Sequence, residues 1–256
     1  MESRQRLEQI VASIEYTPTG IQGIDELLEG KGLPKGSVVF VVGGPGSGKT
    51  TLGLQFLCHG PSVNENGVYI SLDESLESVI RNSATVGLNV GQLYKEGKLS
   101  LVDASPIVSV QGEIAASKFL RSAESGLTSL MQRVEAATRT NVSRLVVDSL
   151  ATLILQFPND AERRLAVKGI LETIRPIKCT TFLISELSHS TIDREYQFEE
   201  YLAEGVFVMR AINKPGVALQ TFTVEKMRGV DHDKRPHPYK IGSNGIEVFP
   251  TEVADY

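Results

Sequence analysis

The segment Gly43-Gly44-Pro45-Gly46-Ser47-Gly48-Lys49-Thr50 fits the spacing G-x-x-x-x-G-K-[ST]. Each residue type in it has a chemical reason. Glycines let backbone N–H groups curl around a phosphate without Cβ clashes. A helix that starts there adds further donors and the positive end of its dipole. Lys49 can reach β- and γ-phosphates, and the Thr50 hydroxyl can ligate Mg²⁺. Gly44, Pro45, Gly46, Ser47, Gly48, Lys49, Thr50 and Thr51 are therefore the expected nucleotide contacts, with ATP and Mg²⁺ as the expected ligands.

Such a loop needs a carboxylate to hold the metal's water shell. The run Leu145-Val146-Val147-Asp148-Ser149 ends an apolar stretch abruptly in an acid, as a buried strand does where it emerges at its carboxyl end. Asp148 joins Thr50 as the expected metal site, although a helix cap would give the same local pattern. A second acidic pair, Asp73-Glu74, follows Val68–Leu72. One of the two could orient or deprotonate an attacking water. The pair could equally cap the helix that begins near Leu76, with the helix dipole favouring acids there.

These residues must be held by a frame. Ser37–Val42, Val68–Leu72, Leu99–Val102, Arg144–Val147 and Thr180–Ser185 read as strands. Thr50–His59, Leu76–Leu88, Leu127–Thr140 and Arg163–Ile177 read as helices between them. The alternation predicts an α/β fold with a mostly parallel twisted sheet flanked by helices. After Gly205 the pattern becomes Val206–Ile212, Val217–Lys226, Tyr239–Ile241 and Ile246–Phe249, with turn residues at Pro215-Gly216 and Asn244-Gly245. That predicts C-terminal antiparallel hairpins on the sheet edge. Ala104–Gly126 is polar and irregular and reads as a mobile segment. No domain boundary is visible, so residues 1–256 read as one domain with an N-terminal helical arm over residues 1–18.

The bulk numbers narrow the function. The hydrophobic fraction of 41 % supports a sizeable core, and the net charge of −5 argues against a nucleic-acid coat, which needs a basic surface. Cys58 and Cys179 lie in apolar stretches without metal-ligand spacing, which suits a reducing compartment. No apolar run approaches the ~18 residues of a membrane span. A cytoplasmic protein is expected.

Beyond the phosphate motif, the chain resembles the KaiC-like branch of the RecA-type ATPases. The lead-in Thr19-Gly20-Ile21-Gln22-Gly23-Ile24-Asp25-Glu26-Leu27-Leu28, then Gly30, Gly32-Leu33-Pro34 and Gly36, carries the likeness. So do Gly97-Lys98-Leu99, Asp103-Ala104-Ser105, Lys226-Met227-Arg228-Gly229 and Gly245-Ile246 before Val248-Phe249-Pro250. The resemblance implies a RecA-like P-loop fold and catalytic carboxylates at Asp73-Glu74. Two glutamates are usual in the family; here Asp73 is one methylene shorter, which leaves Glu74 as the safer assignment. It also implies a homo-oligomeric ring, commonly a hexamer, with ATP at subunit interfaces. Lys226 and Arg228 of a neighbour would then point at the γ-phosphate, with His232 and Lys234 nearby. Read without the resemblance, Lys226 and Arg228 are two cations on one strand face, which also suits an exposed edge that discourages strand pairing.

Three functions compete. The first is a slow ring-forming ATPase that regulates or remodels a protein partner. The second is a DNA-repair accessory resembling archaeal recombinase paralogues. Its DNA loops would be Leu155–Arg163 and Leu187–Glu204, but the latter carries Asp193, Glu195, Glu199, Glu200 and Glu204 against Arg194 alone. An acidic loop repels phosphates, so nucleic acid is not the expected partner. The third is a nucleotide-gated scaffold with little turnover.

Overall fold

The computed structural model describes residues 14–105, 116–139, 141–186, 198–214 and 217–254. Eleven strands appear among them. β1 (Tyr16–Thr17) pairs with β2 (Leu33–Pro34) in a small antiparallel ribbon. The other nine form one sheet: β3 (Val38–Gly43), β4 (Gly67–Ser71), β5 (Leu99–Asp103), β6 (Arg144–Asp148), β7 (Thr180–Glu186), β8 (Gly205–Lys214), β9 (Val217–Met227), β10 (His237–Gly242) and β11 (Gly245–Val248). Their order is β11-β10-β9-β8-β3-β7-β6-β4-β5. From β8 to β5 every neighbouring pair is parallel, and β9, β10 and β11 continue the sheet antiparallel. The expected fold class is what the chain adopts.

The helices are α1 (Ile24–Leu27), α2 (Lys49–His59), α3 (Leu76–Thr85), α4 (Val90–Lys95), α5 (Ala116–Ala137), α6 (Leu150–Ile154), α7 (Asp160–Ile174) and α8 (Phe198–Leu202). They cover both faces of the sheet, so the central strands are apolar on both sides. β3 shows this by alternation: Val39 and Val41 enter one apolar cluster, and Val38, Phe40 and Val42 enter the other. The first cluster contains a run of rings, with Phe56 stacked on Phe182 at 4.3 Å and Phe207 and Phe222 following edge-on.

Several details depart from the sequence expectations. The segment Ala104–Gly126 was expected to be irregular, yet its last part belongs to α5, which begins at Ala116. The expected helix Leu76–Leu88 ends early, at Thr85. Gly87, at φ +76°, breaks the chain after α3, and α4 follows. α7 starts at Asp160, earlier than expected, because Asn159 caps it: its Oδ1 accepts from Glu162 N at 3.0 Å, and its Nδ2 donates back to the Glu162 carboxylate at 3.0 Å. The expected N-terminal arm falls mostly outside the described residues, and its Tyr16–Thr17 part is strand, not helix.

The lead-in segment has a structural job. Asp25 accepts from the backbone N–H groups of Thr19 (2.8 Å) and Gly20 (3.3 Å), which ties the loop before α1 to α1 itself. On the far side of α2, Gln55 clamps the sheet edge: its Nε2 donates to Ile246 O (3.1 Å) and its Oε1 accepts from Ile246 N (2.7 Å).

Candidate functional site

The site lies at the carboxyl ends of the parallel strands. Registers align Gly43 with Glu186, and Ser71 with Asp148, so the loops after β3, β7, β6 and β4 open on one rim. Neither Asp148 nor Asp73-Glu74 follows a strand adjacent to β3. β7 separates β6 from β3, and both β7 and β6 separate β4 from it. The rim nonetheless brings these acids to one pocket.

The phosphate loop turns from β3 into α2 as its glycines allow. Gly48, at φ +89°, stands before Lys49, a conformation that L side chains rarely adopt. A Cβ at Gly43 would meet Met209 O at 2.5 Å and Ser47 Oγ at 2.6 Å, so the loop needs glycine there. Gly44 and Gly46 face open space. The buried Tyr239 hydroxyl donates to Ser47 O at 2.5 Å and anchors the loop to β10. Lys49 Nζ donates to Gly43 O and Gly44 O, both at 2.9 Å. Burial lowers its pKa, while Glu186 and Asp148 oppose that shift.

A pocket of about 220 Å³ opens beside the loop, lined by Gly46, Lys49, Thr50, Tyr69, Ser71, Asp73, Glu74, Asp148, Ser149 and Glu186. Thr51, also expected at the nucleotide, is not part of this lining. The Thr50 hydroxyl donates to Asp148 Oδ2 at 2.6 Å, and the Tyr69 hydroxyl donates to the same oxygen at 2.8 Å. Asp148 is 8 % exposed. Burial raises its pKa, against the pull of Thr50 and Tyr69. Burial also raises the Tyr69 phenol well above its usual value, with Asp148 adding to the shift, so it remains a donor. The donor set around Asp148 is oxygen only, which suits a hard cation such as Mg²⁺. Among the described residues no group of three or more His, Cys, Asp or Glu could hold a metal.

The acidic pair is held differently at its two members. The Thr152 hydroxyl donates to Asp73 Oδ1. Desolvation raises the Asp73 pKa, Glu186 adds to the rise, and the Thr152 bond opposes it. The Glu74 backbone is pinned by Ser71: Ser71 Oγ donates to Glu74 O at 2.6 Å and accepts from Glu74 N at 3.2 Å. Its carboxylate accepts from Asn82 Nδ2 at a long 3.3 Å. Ser75, not the acids, supplies the N-cap of α3. The helix-cap explanation of Asp73-Glu74 therefore does not apply.

Tyr69, Ser71 and Glu186 of the pocket lining, and Tyr239 that anchors the loop, were missed in the sequence. Glu186 ends the apolar run Phe182-Leu183-Ile184-Ser185 as Asp148 ends its own, and that signal was available. Tyr69 lies two residues before Ser71, on the same strand face. Tyr239 had no sequence signal.

Within this subunit, the four C-terminal residues that the resemblance assigns to a neighbour's nucleotide do not line this pocket. Val206 pairs with Lys226, Arg228 N donates to Glu204 O, and Glu204 N donates to Val38 O. Arg228 thus stands level with the start of β3, five residues from Gly43, or roughly 16 Å along the strand. Lys226 Nζ donates to the carbonyls of Glu200 (3.0 Å), Tyr201 (3.2 Å) and Ala203 (2.7 Å), which caps α8. Burial and then Arg228 lower its pKa. His232 lines a separate recess with Glu26, Glu29, Asp231 and Asp233, and Lys234 is exposed.

Comparisons with known proteins agree with this architecture. A family model described as "ATPase: KaiC" matches residues 17–253. The chain is 32 % identical over 241 residues to a UPF0273 protein of Thermotoga maritima, covering 93 % of this chain and 98 % of that one. It is 30 % identical over 241 residues to the circadian clock oscillator protein KaiC of Prochlorococcus marinus, covering 93 % of this chain and 46 % of the relative. The chain thus spans about half the length of that clock protein. The crystal structure of a KaiC-like protein from the archaeon Pyrococcus horikoshii superposes with a TM-score of 0.73 at 31 % identity, covering 93 % of this chain and all of that one. With the match running almost end to end over this sheet, the chain belongs to the KaiC family of P-loop ATPases.

Proposed function

We propose that the chain binds Mg-ATP at Gly43–Thr50 and hydrolyses it slowly, in a ring whose neighbouring subunit completes each site. The observation that carries this reading is the convergence of Lys49, Thr50, Asp148, Asp73 and Glu74 on one pocket. Mg²⁺, when bound, would supply positive charge to offset the negative charge that develops in phosphoryl transfer. Thr50 and Asp148 would hold it. Lys49 would leave the loop carbonyls for the phosphates, where its charge is better used.

Glu74 is the proposed base. Its carboxylate accepts a long 3.3 Å hydrogen bond from Asn82 Nδ2, and its backbone is fixed by Ser71. It would orient the attacking water and take its proton as the water oxygen bonds to the γ-phosphorus and ADP departs. Asp73, held by Thr152, would orient the base and the water network. Lys226 and Arg228 cannot reach this chain's own phosphate loop from their end of the sheet. Their position supports a role across a subunit boundary, with Arg228 the exposed cation and Lys226 holding α8 beside it.

Single-turnover hydrolysis tests the reading. Glu74→Gln should retain ATP and slow its hydrolysis by a factor of ~10²–10⁴. Hydrolysis at the wild-type rate in a folded Glu74→Gln protein would remove Glu74 from the base position.

A further inference from the structure

We propose that the Tyr69 hydroxyl is a positioning group for the Mg²⁺ site, aligning the Asp148 carboxylate so that the metal tightens nucleotide binding. This rests on the reading of the pocket given above. The sheet sets the geometry. Ser71 of β4 pairs with Asp148 of β6, and Tyr69 pairs with Val146, so Tyr69 stands diagonal to Asp148 on the same face. Its ring is 1 % exposed and belongs to the apolar cluster that includes Leu57, Leu99 and Val146. Only the hydroxyl is polar, and it donates to Asp148 Oδ2 at 2.8 Å.

That oxygen also accepts from Thr50 at 2.6 Å. Two O–H donors from two different elements therefore converge on one carboxylate oxygen. A carboxylate held by one donor can swing about its Cβ–Cγ bond; held by two, its plane is fixed. The donor on α2 comes from the residue that would itself ligate Mg²⁺. The donor on β4 belongs to a side chain anchored in the apolar core. Tyr69 thus supplies the fixed reference for the carboxylate. Hydrogen-bond partners of this kind around metal sites are worth about 10- to 100-fold in metal affinity.

Tyr69→Phe removes the hydroxyl and keeps the ring in its apolar cluster. ATP affinity would be measured by calorimetry in EDTA and in Mg²⁺, for wild type, Tyr69→Phe, Asp148→Asn and the double variant. The ratio of the two affinities is the metal's contribution. In Tyr69→Phe that ratio should fall by about 10- to 100-fold, with affinity in EDTA unchanged. Adding Tyr69→Phe to Asp148→Asn should change nothing further. A full ratio in Tyr69→Phe overturns the inference, as does an equal loss in EDTA and Mg²⁺, which marks a packing role. If wild type itself shows no Mg²⁺ effect, the reading of the pocket fails and this inference with it. Should Tyr69→Phe not fold, Tyr69→Met, whose flexible chain fills apolar gaps, is subject to the same outcomes.

Discussion

At the scale of the residue, two adjacent acids share a pocket and are set apart by their surroundings. Asp73 is bound by Thr152 and has its pKa raised by desolvation and by Glu186. Glu74 has a pinned backbone and a loosely bound carboxylate. Asp73→Asn should keep more of the single-turnover rate than Glu74→Gln, since an amide still accepts from Thr152 but cannot replace a base. A dead Asp73→Asn beside a fast Glu74→Gln would exchange the two roles. The motif residues were legible because their types and spacing are dictated by phosphate chemistry. Tyr69 was not, because a tyrosine in an apolar strand reads as core until its hydroxyl's partner, 79 positions away, is placed.

At the scale of the element, the strands were legible and their order was not. Apolar runs such as Ser37–Val42 and Arg144–Val147 declared buried strands. Nothing in them says that β7 enters between β3 and β6, because pairing is settled by crossovers far apart in the chain. α4 was hidden for a different reason: at six residues it is too short to show a period. Arg144 shows how α2 is fastened to the sheet. Its side chain is fully buried, with Nη1 donating to Phe56 O at 2.8 Å and Nε to Glu65 at 2.7 Å, and its guanidinium lies 4.5 Å from the Phe56 ring centroid. Removing the partner of a buried charge is costly. Glu65→Ala should destabilise the fold by about 3 kcal/mol, read from urea unfolding. A change below about 0.5 kcal/mol would show that water satisfies Arg144 equally well.

At the scale of the whole molecule, the sheet separates the phosphate loop from the Lys226–Arg228 end. A single subunit cannot bring the two together, and a closed ring gives every pocket a neighbour. Mixing Glu74→Gln with Arg228→Ala, each inactive alone, should restore activity at about a quarter of interfaces in a random equal mixture. Mixed rings that stay inactive would confine Arg228 to its own subunit or to no catalytic role.

Glu200 is fully buried, and Glu204 is bound by Arg175 (2.8 Å) and Val38 N (3.1 Å), so neither is a free loop charge. Residues 187–197 of that loop lie outside the described residues. On the other loop Arg163 is occupied by Phe157 O and Asp160, and the net charge remains −5. Among the described residues no helix is long and apolar enough to cross a membrane.

The central claim is that Gly43–Thr50 is the nucleotide site. Calorimetric titration of Mg-ATP into wild type and Lys49→Ala tests it most directly. Lys49 donates charge-assisted hydrogen bonds to phosphate that alanine cannot make, each worth about 1.5–3 kcal/mol. Lys49→Ala should lose at least about tenfold in affinity while its unfolding transition is unchanged. Equal affinity in the two folded proteins would contradict it.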